Sequence, residues 1–411
     1  MTSTIGLKSL DSIRPTPWRW SNSLMRSLQT LGLAVVTVVV AACGPTIQSG
    51  PPMSDQPVEQ PRERTDRFGR VIDDEKILVG LLLPLSGRAE ELGQSMLNAA
   101  QMAMFDAADD RFELVPVDTG GSAAGAARAA QDVVNQGVDL ILGPLTGEEV
   151  AEVGPVARSA GINVVAYTTD AERADSNVFV MGLLPELQVD RVVAHSVENG
   201  LSRFAVIAPG SRYGRLIAQS LNDAANRRGG TLATTAYYGS DGSDVADRVA
   251  EVVNADPDAI MIPAAGQALE SIASLILEAA GPTQMLGTGL WDDSAIGRIE
   301  AVHGGWFAAP NPNLRRDFEN RYQQTFGSAP ERLATLAYDS VAMAAILARQ
   351  PQGNPFGRQS LTDPGGFAGL DGIFRFQNNG LIDRGLAVLE VTPNGPRLRQ
   401  DAPTTFLSEM F

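Results

Sequence analysis

The sequence predicts an α/β fold built from two parallel-sheet units, preceded by an export leader and a tether. Three observations carry this. Short apolar runs alternate with segments of helical periodicity from residue 76 onward, the pattern of parallel strands joined by crossover helices. That alternation occurs as two series of similar length. Ahead of both lies a stretch too rich in proline and charge to build a core.

The chain has 411 residues and a formal charge of −16. Before Cys43 stand Lys8, Arg14, Arg19 and Arg26 against Asp11, so the first 42 residues carry +3 and the remainder −19. A surface that acidic repels phosphate backbones and argues against nucleic acid as a partner. The apolar run Leu31–Ala42 is too short to cross a hydrocarbon layer of about 30 Å. With a basic flank before it and small residues at its end, it has the build of a signal peptide, residues 1–42. The flank is long, and Met25-Arg26 would open a leader of ordinary length, so translation is expected to start at Met25, with Met1 the alternative. Cys43 is the only cysteine, which excludes an internal disulfide.

Residues 44–75 contain Pro45, Pro51, Pro52, Pro57 and Pro61 and almost no large apolar side chains. Such a segment is expected to be a disordered tether with an r.m.s. span of roughly 30 Å.

The first series opens with Ile77–Leu83, a continuous apolar run suited to a strand buried on both faces. Leu92, Met96, Leu97, Ala100, Met104 and Phe105 then recur at helical spacing over 90–108. Strands are expected at 112–117, 140–142 and 163–166, with helices at 123–136 and 148–160. Gly137 and Gly161 follow those helices, where a left-handed cap is wanted. The second series has helices at 185–199, 213–228, 244–254 and 268–280, and strands at 204–208, 231–238, 259–262 and 284–286. Pro185 suits a first helical turn, and Gly200 and Gly229-Gly230 suit stops. After Trp306 two helices come close together, 314–326 and 332–350. Strand-like 372–376, a turn at Asn378-Asn379-Gly380 and a strand at 386–391 then read as a hairpin.

Several stretches resemble one known family. They are Gly80-Leu81-Leu82-Leu83-Pro84-Leu85-Ser86-Gly87, Ile141-Leu142-Gly143-Pro144-Leu145-Thr146, Ser211-Arg212-Tyr213-Gly214, Phe326-Gly327-Ser328-Ala329-Pro330, Ala337-Tyr338-Asp339-Ser340 and Phe367-Ala368-Gly369-Leu370-Asp371-Gly372. In this order and spacing they are similar to the type I periplasmic-binding-protein family, in the branch of the leucine/isoleucine/valine-binding proteins. The resemblance implies two Rossmann-like lobes with parallel central sheets, joined by a multi-strand hinge. It suggests 76–183 plus 311–350 as lobe one and 184–310 plus 351–411 as lobe two. Val40-Ala41-Ala42-Cys43-Gly44 resembles the bacterial lipobox, which implies cleavage before Cys43 and lipid on its sulfur. Gly44 after it, where an aspartate would retain a lipoprotein at the inner membrane, implies a periplasmic protein anchored at the outer membrane. The lipobox, the tether and Leu81–Gly87 together resemble the lipoprotein activators of penicillin-binding proteins.

Ligands of parallel αβ sheets sit beyond the carboxyl ends of the strands, where helix N-termini offer free N–H groups. That rule gathers Ser86, Gly87, Gly143, Thr146, Tyr167, Thr168 and Thr169 around one cleft. By resemblance, Thr146 matches a hydroxyl that holds a ligand carboxylate, and Tyr167 and Thr169 fall in the loop that completes its binding. Ser86 and Thr146 equally suit plain helix capping. From the second series, Tyr213 could cover a ligand and Asp292 could hold an ammonium group. Pro263-Ala264-Ala265 stands where amino-acid receptors of the family offer an aromatic side chain.

No nucleophile elbow, phosphate loop or zinc spacing appears, and the two histidines, His195 and His303, are far apart. The reading is a non-catalytic lipoprotein without metal or cofactor that regulates a penicillin-binding protein. The alternative is the substrate-binding lipoprotein of an ABC permease for an amino acid or another small polar solute.

Overall fold

The computed structural model describes residues 76–350 and 353–406. The leader, Cys43 and the tether lie outside the described residues. The described residues form one compact unit.

The first series folds as β1 (Ile77–Leu83), α1 (Glu90–Ala107), β2 (Phe112–Asp118), α2 (Ala123–Gln136), β3 (Leu140–Leu142), α3 (Gly147–Ser159), β4 (Asn163–Ala166) and β5 (Val178–Val180). Its five strands are all parallel, in the order β2-β1-β3-β4-β5. Alternate strand residues point to opposite faces. Leu81 and Leu83 join a core with Met96 and Ala100 of α1. Leu82 joins another with Ala126 and Val133 of α2 and Val150 and Val153 of α3. Both faces are covered, which is why β1 reads as an unbroken apolar run. Local signals bound the helices. Ser122 accepts a hydrogen bond from Gly125 N at the start of α2, and Gly137 ends that helix at φ 81°.

The second series folds as α4 (Pro185–Glu198), β6 (Arg203–Pro209), α5 (Arg212–Arg227), β7 (Thr231–Tyr238), α6 (Val245–Asn254), β8 (Ala259–Met261), α7 (Gly266–Ala280), β9 (Gln284–Gly287) and β10 (Trp306–Ala309). The chain continues with α8 (Pro312–Phe326), α9 (Ala334–Ala348), the single turn α10 (Arg358–Leu361), β11 (Phe367–Gly369), β12 (Gly372–Phe376), β13 (Ile382–Arg384), β14 (Ala387–Thr392) and β15 (Gly395–Gln400). A seven-stranded sheet runs β15-β14-β10-β9-β8-β6-β7. Strands β6 to β10 are parallel in it, and β14 and β15 are antiparallel additions. Its two faces also carry separate cores. Ile207, Ile260 and Phe307 pack with α6 and α7. Phe204, Val206 and Met261 pack with α4 and α5.

Two differences from the sequence expectation follow from packing. The hairpin partner of β12 is β13, with Phe376 opposite Ile382. The turn closes within five residues, Gln377 N donating to Leu381 O and Gly380 standing at φ 83°. The later strand, β14, leaves this hairpin and pairs with β10, where its apolar residues are covered on both faces. Second, Phe356, Leu361, Phe374, Phe376 and Ile382 share the core of Leu81 and Leu83. Residues 353–384, grouped from sequence with the second series, therefore pack on the first sheet. Helices α8 and α9 pack there too, through Phe318, Tyr322 and Ala334 against Ala99 and Met102 of α1. The chain passes between the two sheets three times, after β5, after β10 and after β13.

Candidate functional site

The carboxyl ends of β1 to β4 bring four loops together. Ser86 is exposed, and its hydroxyl donates to Asp118 Oδ2 at 2.6 Å. Asp118, which sequence reasoning missed, ends β2 and also accepts from Leu85 N and Gly120 N. Burial alone would raise its carboxyl, but these hydrogen bonds hold it below the usual carboxylate range. Gly87 stands at φ 83°, which lets the chain turn into α1. Gly143 is required twice over. Its φ is 85°, and a Cβ there would lie 2.2 Å from Leu82 O.

Thr146 is exposed and caps α3. Glu149 N donates to its Oγ1 at 3.3 Å, and Glu149 Oε2 accepts from Thr146 N at 2.9 Å and from Thr146 Oγ1 at 3.0 Å. This reciprocal capping box engages both donors of Thr146. The other Glu149 oxygen accepts from Thr119 Oγ1 at 2.7 Å.

Tyr167 points away from this cluster. It is buried in the first core with its hydroxyl 2.8 Å from Ser340 Oγ of α9, and burial raises its phenol pKa. Its ring is a packing element, a correction to its place in the cleft. The amide is engaged as well, donating to Pro144 O. Thr168 is buried, and its Oγ1 accepts from Asp170 N at 3.0 Å. Thr169 is exposed.

Asp170 completes the group. Its carboxylate lies so close to the start of α3 that a Cβ on Gly147 would be 2.9 Å from its Oδ2. It pairs with Arg173 at 3.0 Å and, from the second series, with Arg212 at 3.2 Å. Arg212 also pairs with Glu172 at 2.7 Å. Beside Asp170 and Tyr213 lies Glu186 in the first turn of α4. Its Oε2 is buried with no hydrogen-bond partner among the described residues. Burial raises its carboxyl pKa, and Asp170 adds to the shift.

From the second sheet, Tyr213 bonds Thr288 Oγ1 through its hydroxyl at 2.8 Å, and burial raises its phenol. Gly289 N donates to Gln188 Oε1 at 2.7 Å. Trp291 is fully buried, with Nε1 donating to Ala264 O. Asp292 requires a correction. Its side chain is only 8% exposed and accepts from Arg315 Nη2 at 3.2 Å and from Arg332 Nε at 2.8 Å. Two guanidiniums hold both of its oxygens, so a ligand ammonium would have to displace one of them. No spacing pattern signals these partners, which lie 23 and 40 residues further on.

A second concavity, of about 580 Å³, opens between α1 and the α8–α9 connection. Tyr322 OH donates to Ser95 Oγ and accepts from Asn98 Nδ2 along its floor. His195 is buried on α4, edge-on to Trp306 and bonded to Gln400, and burial lowers its pKa.

The family model "Periplasmic binding protein" matches residues 76–396. The chain belongs to the periplasmic binding protein family. As a periplasmic binding protein it is similar to solved structures along most of its length. One is a Rhodospirillum rubrum protein described as a branched-chain amino acid ABC transporter (TM-score 0.72, 20% identity, covering 79% of this chain and all of that one). Another is the substrate-binding protein LivJ of Streptococcus pneumoniae in complex with isoleucine (TM-score 0.58, 18% identity, 80% and all). Among curated relatives it is similar to penicillin-binding protein activator LpoA of Vibrio antiquarius, 24% identical over 170 residues, which is 39% of this chain and 27% of that protein. The LpoA of Photobacterium profundum is 28% identical over 168 residues, with the same coverage. This periplasmic binding protein thus spans about a quarter of the length of those curated relatives.

Proposed function

We propose that this periplasmic binding protein is a non-catalytic regulator of a penicillin-binding protein. It acts from the periplasm, held by lipid on Cys43, at the outer membrane. One observation carries the reading: the acid available to an amino acid's ammonium, Asp292, is consumed by Arg315 and Arg332. A ligand carrying both charges needs a partner for each, because an unpaired buried charge is costly. The similarity to the LpoA proteins supports the same reading. The packing favours a division into two lobes, 76–183 with 311–384 and 184–310 with 385–406.

One observation favours a second reading, a solute receptor feeding a permease. The unpaired buried oxygen of Glu186 would accept a donor from a small polar ligand. The two readings separate in one experiment. The purified protein is melted with a panel of amino acids, and a periplasmic extract is passed over it. Retention of a penicillin-binding protein without a ligand-dependent rise in melting temperature is the expected result. A strong rise with one amino acid and no retained synthase would replace the regulator reading with the receptor.

A further inference from the structure

We propose that the chain's own ion pairs fasten its two sheet bodies in one mutual orientation, with no ligand required to hold the cleft. This goes beyond the regulator reading and does not depend on it.

The principal fastening is Asp292. It follows Trp291, whose fully buried ring is set in the core of the second sheet. Its partners belong to the other body. Arg315 sits on α8, one turn before Phe318, which packs against α1. Arg332 stands just before α9, whose Leu336 and Val341 lie in the core of Leu81. Each end of the contact is therefore rooted in a different core by a neighbouring buried residue. Hinge motion of lobes is absorbed by a few flexible residues, and none separates Asp292 from Trp291. The contact is also dry: Asp292, Arg315 and Arg332 are 8, 11 and 26% exposed. Arg332 reaches on to Asp371, fully buried in the β11–β12 turn, at 3.0 Å. Separating the bodies would leave Asp292 uncompensated in a poorly hydrated place, which is costly.

A second fastening, Arg212 with Asp170 and Glu172, bridges the bodies at the carboxyl ends of the first sheet. Arg212 and Glu172 are 64 and 77% exposed, so salt screens this contact and it holds weakly. Burial thus assigns the main role to Asp292.

The test is a distance measurement between the bodies. The full chain carrying Cys43→Ser has no other cysteine, so Gln131→Cys on α2 and Glu270→Cys on α7, both exposed, take spin labels uniquely. Pulsed electron resonance should give one narrow distance population, unchanged by an amino-acid mixture. Asp292→Ala should raise the ratio of separated to fastened molecules on the order of a hundredfold, seen as a second, displaced population. Arg315→Gln keeps the Asp292–Arg332 pair, so it tests the same contact in a chain that retains its fold, and should give a smaller displacement. Two populations in the parent chain would overturn the proposal. So would an unchanged distribution in Arg315→Gln, or in a folded Asp292→Ala.

Discussion

Asp371→Asn removes one charge from the most enclosed part of the protein while keeping the side chain's shape. Asp371 is fully buried. Its Oδ2 accepts from Thr335 Oγ1 at 2.6 Å, and its Oδ1 lies 3.0 Å from Arg332 Nη2. Arg384, also buried, donates to its backbone oxygen. Burial alone would raise the Asp371 carboxyl, but Arg332 and Arg384 hold it below its ordinary range. Breaking a buried pair of this kind costs roughly 3–5 kcal/mol. One opposing effect reduces that figure. Asp339 is buried beside Asp371, and burial followed by the Asp371 charge pushes its carboxyl up to about 7. Neutralising Asp371 removes that repulsion, so the expected loss is about 3 kcal/mol, nearer the lower bound. At the usual unfolding entropy of a chain this size, that lowers the melting temperature by about 4 °C. Urea unfolding followed by the fluorescence of buried Trp291 and Trp306 measures the loss. Arg332→Met and the double variant complete a cycle in which the two losses sum to more than the joint loss. A change below about 1 kcal/mol, or strict additivity, would refute the claim that these charges meet in a dry interior.

Asp339 makes stability fall with pH. Its folded pKa is about 7 against a usual 3.8, so its contribution is complete below 3.8 and is lost as pH rises through 7. Asp371, shifted down, contributes in the opposite sense, above its usual value. Urea midpoints at pH 5 and pH 8 should therefore lie further apart in the parent chain than in Asp339→Asn. Gly143→Ala, with its Cβ 2.2 Å from Leu82 O, should melt far lower than Gly161→Ala. Gly161 shares a positive φ but has nothing within 4 Å, so it loses only about 1–2 kcal/mol of backbone preference. Thr146→Ala loses the α3 cap and should cost about 1 kcal/mol in a denaturant titration. The same substitution would weaken a cleft ligand, if the amino-acid panel finds one, only if the hydroxyl exchanges Glu149 for it.

The elements with strong local signals were legible in the sequence. Helix α2, bounded by Ser122 and Gly137, and strands β3, β4, β7 and β12 have the extents their patterns predict. Strands β5, β10, β11, β13 and β15 were not legible. Three are only three residues long, and Trp306–Ala309 shows no alternation because both its faces are covered. The site was legible in its loops and not in its partners. Ser86, Thr146 and Tyr213 stand at the ends of strands or the starts of helices, where topology puts them. What each side chain touches depends on contacts across long stretches of sequence. Asp292 with Arg332 and Tyr167 with Ser340 are set by packing between elements, and no spacing rule reports that. Arg212 lay within a quoted motif, but its acidic partners 40 and 42 residues earlier carried no signal of their own.

The three passages between the sheets have a consequence for synthesis. The first sheet is complete once residue 180 has emerged, yet its covering helices α8 and α9 and the hairpin under Phe374 come only after the whole parallel part of the second sheet. Until then Leu81, Leu83 and Val165 lack half their shelter. The half that emerges first cannot finish folding until residue 384 has emerged, and no continuous fragment reproduces it alone.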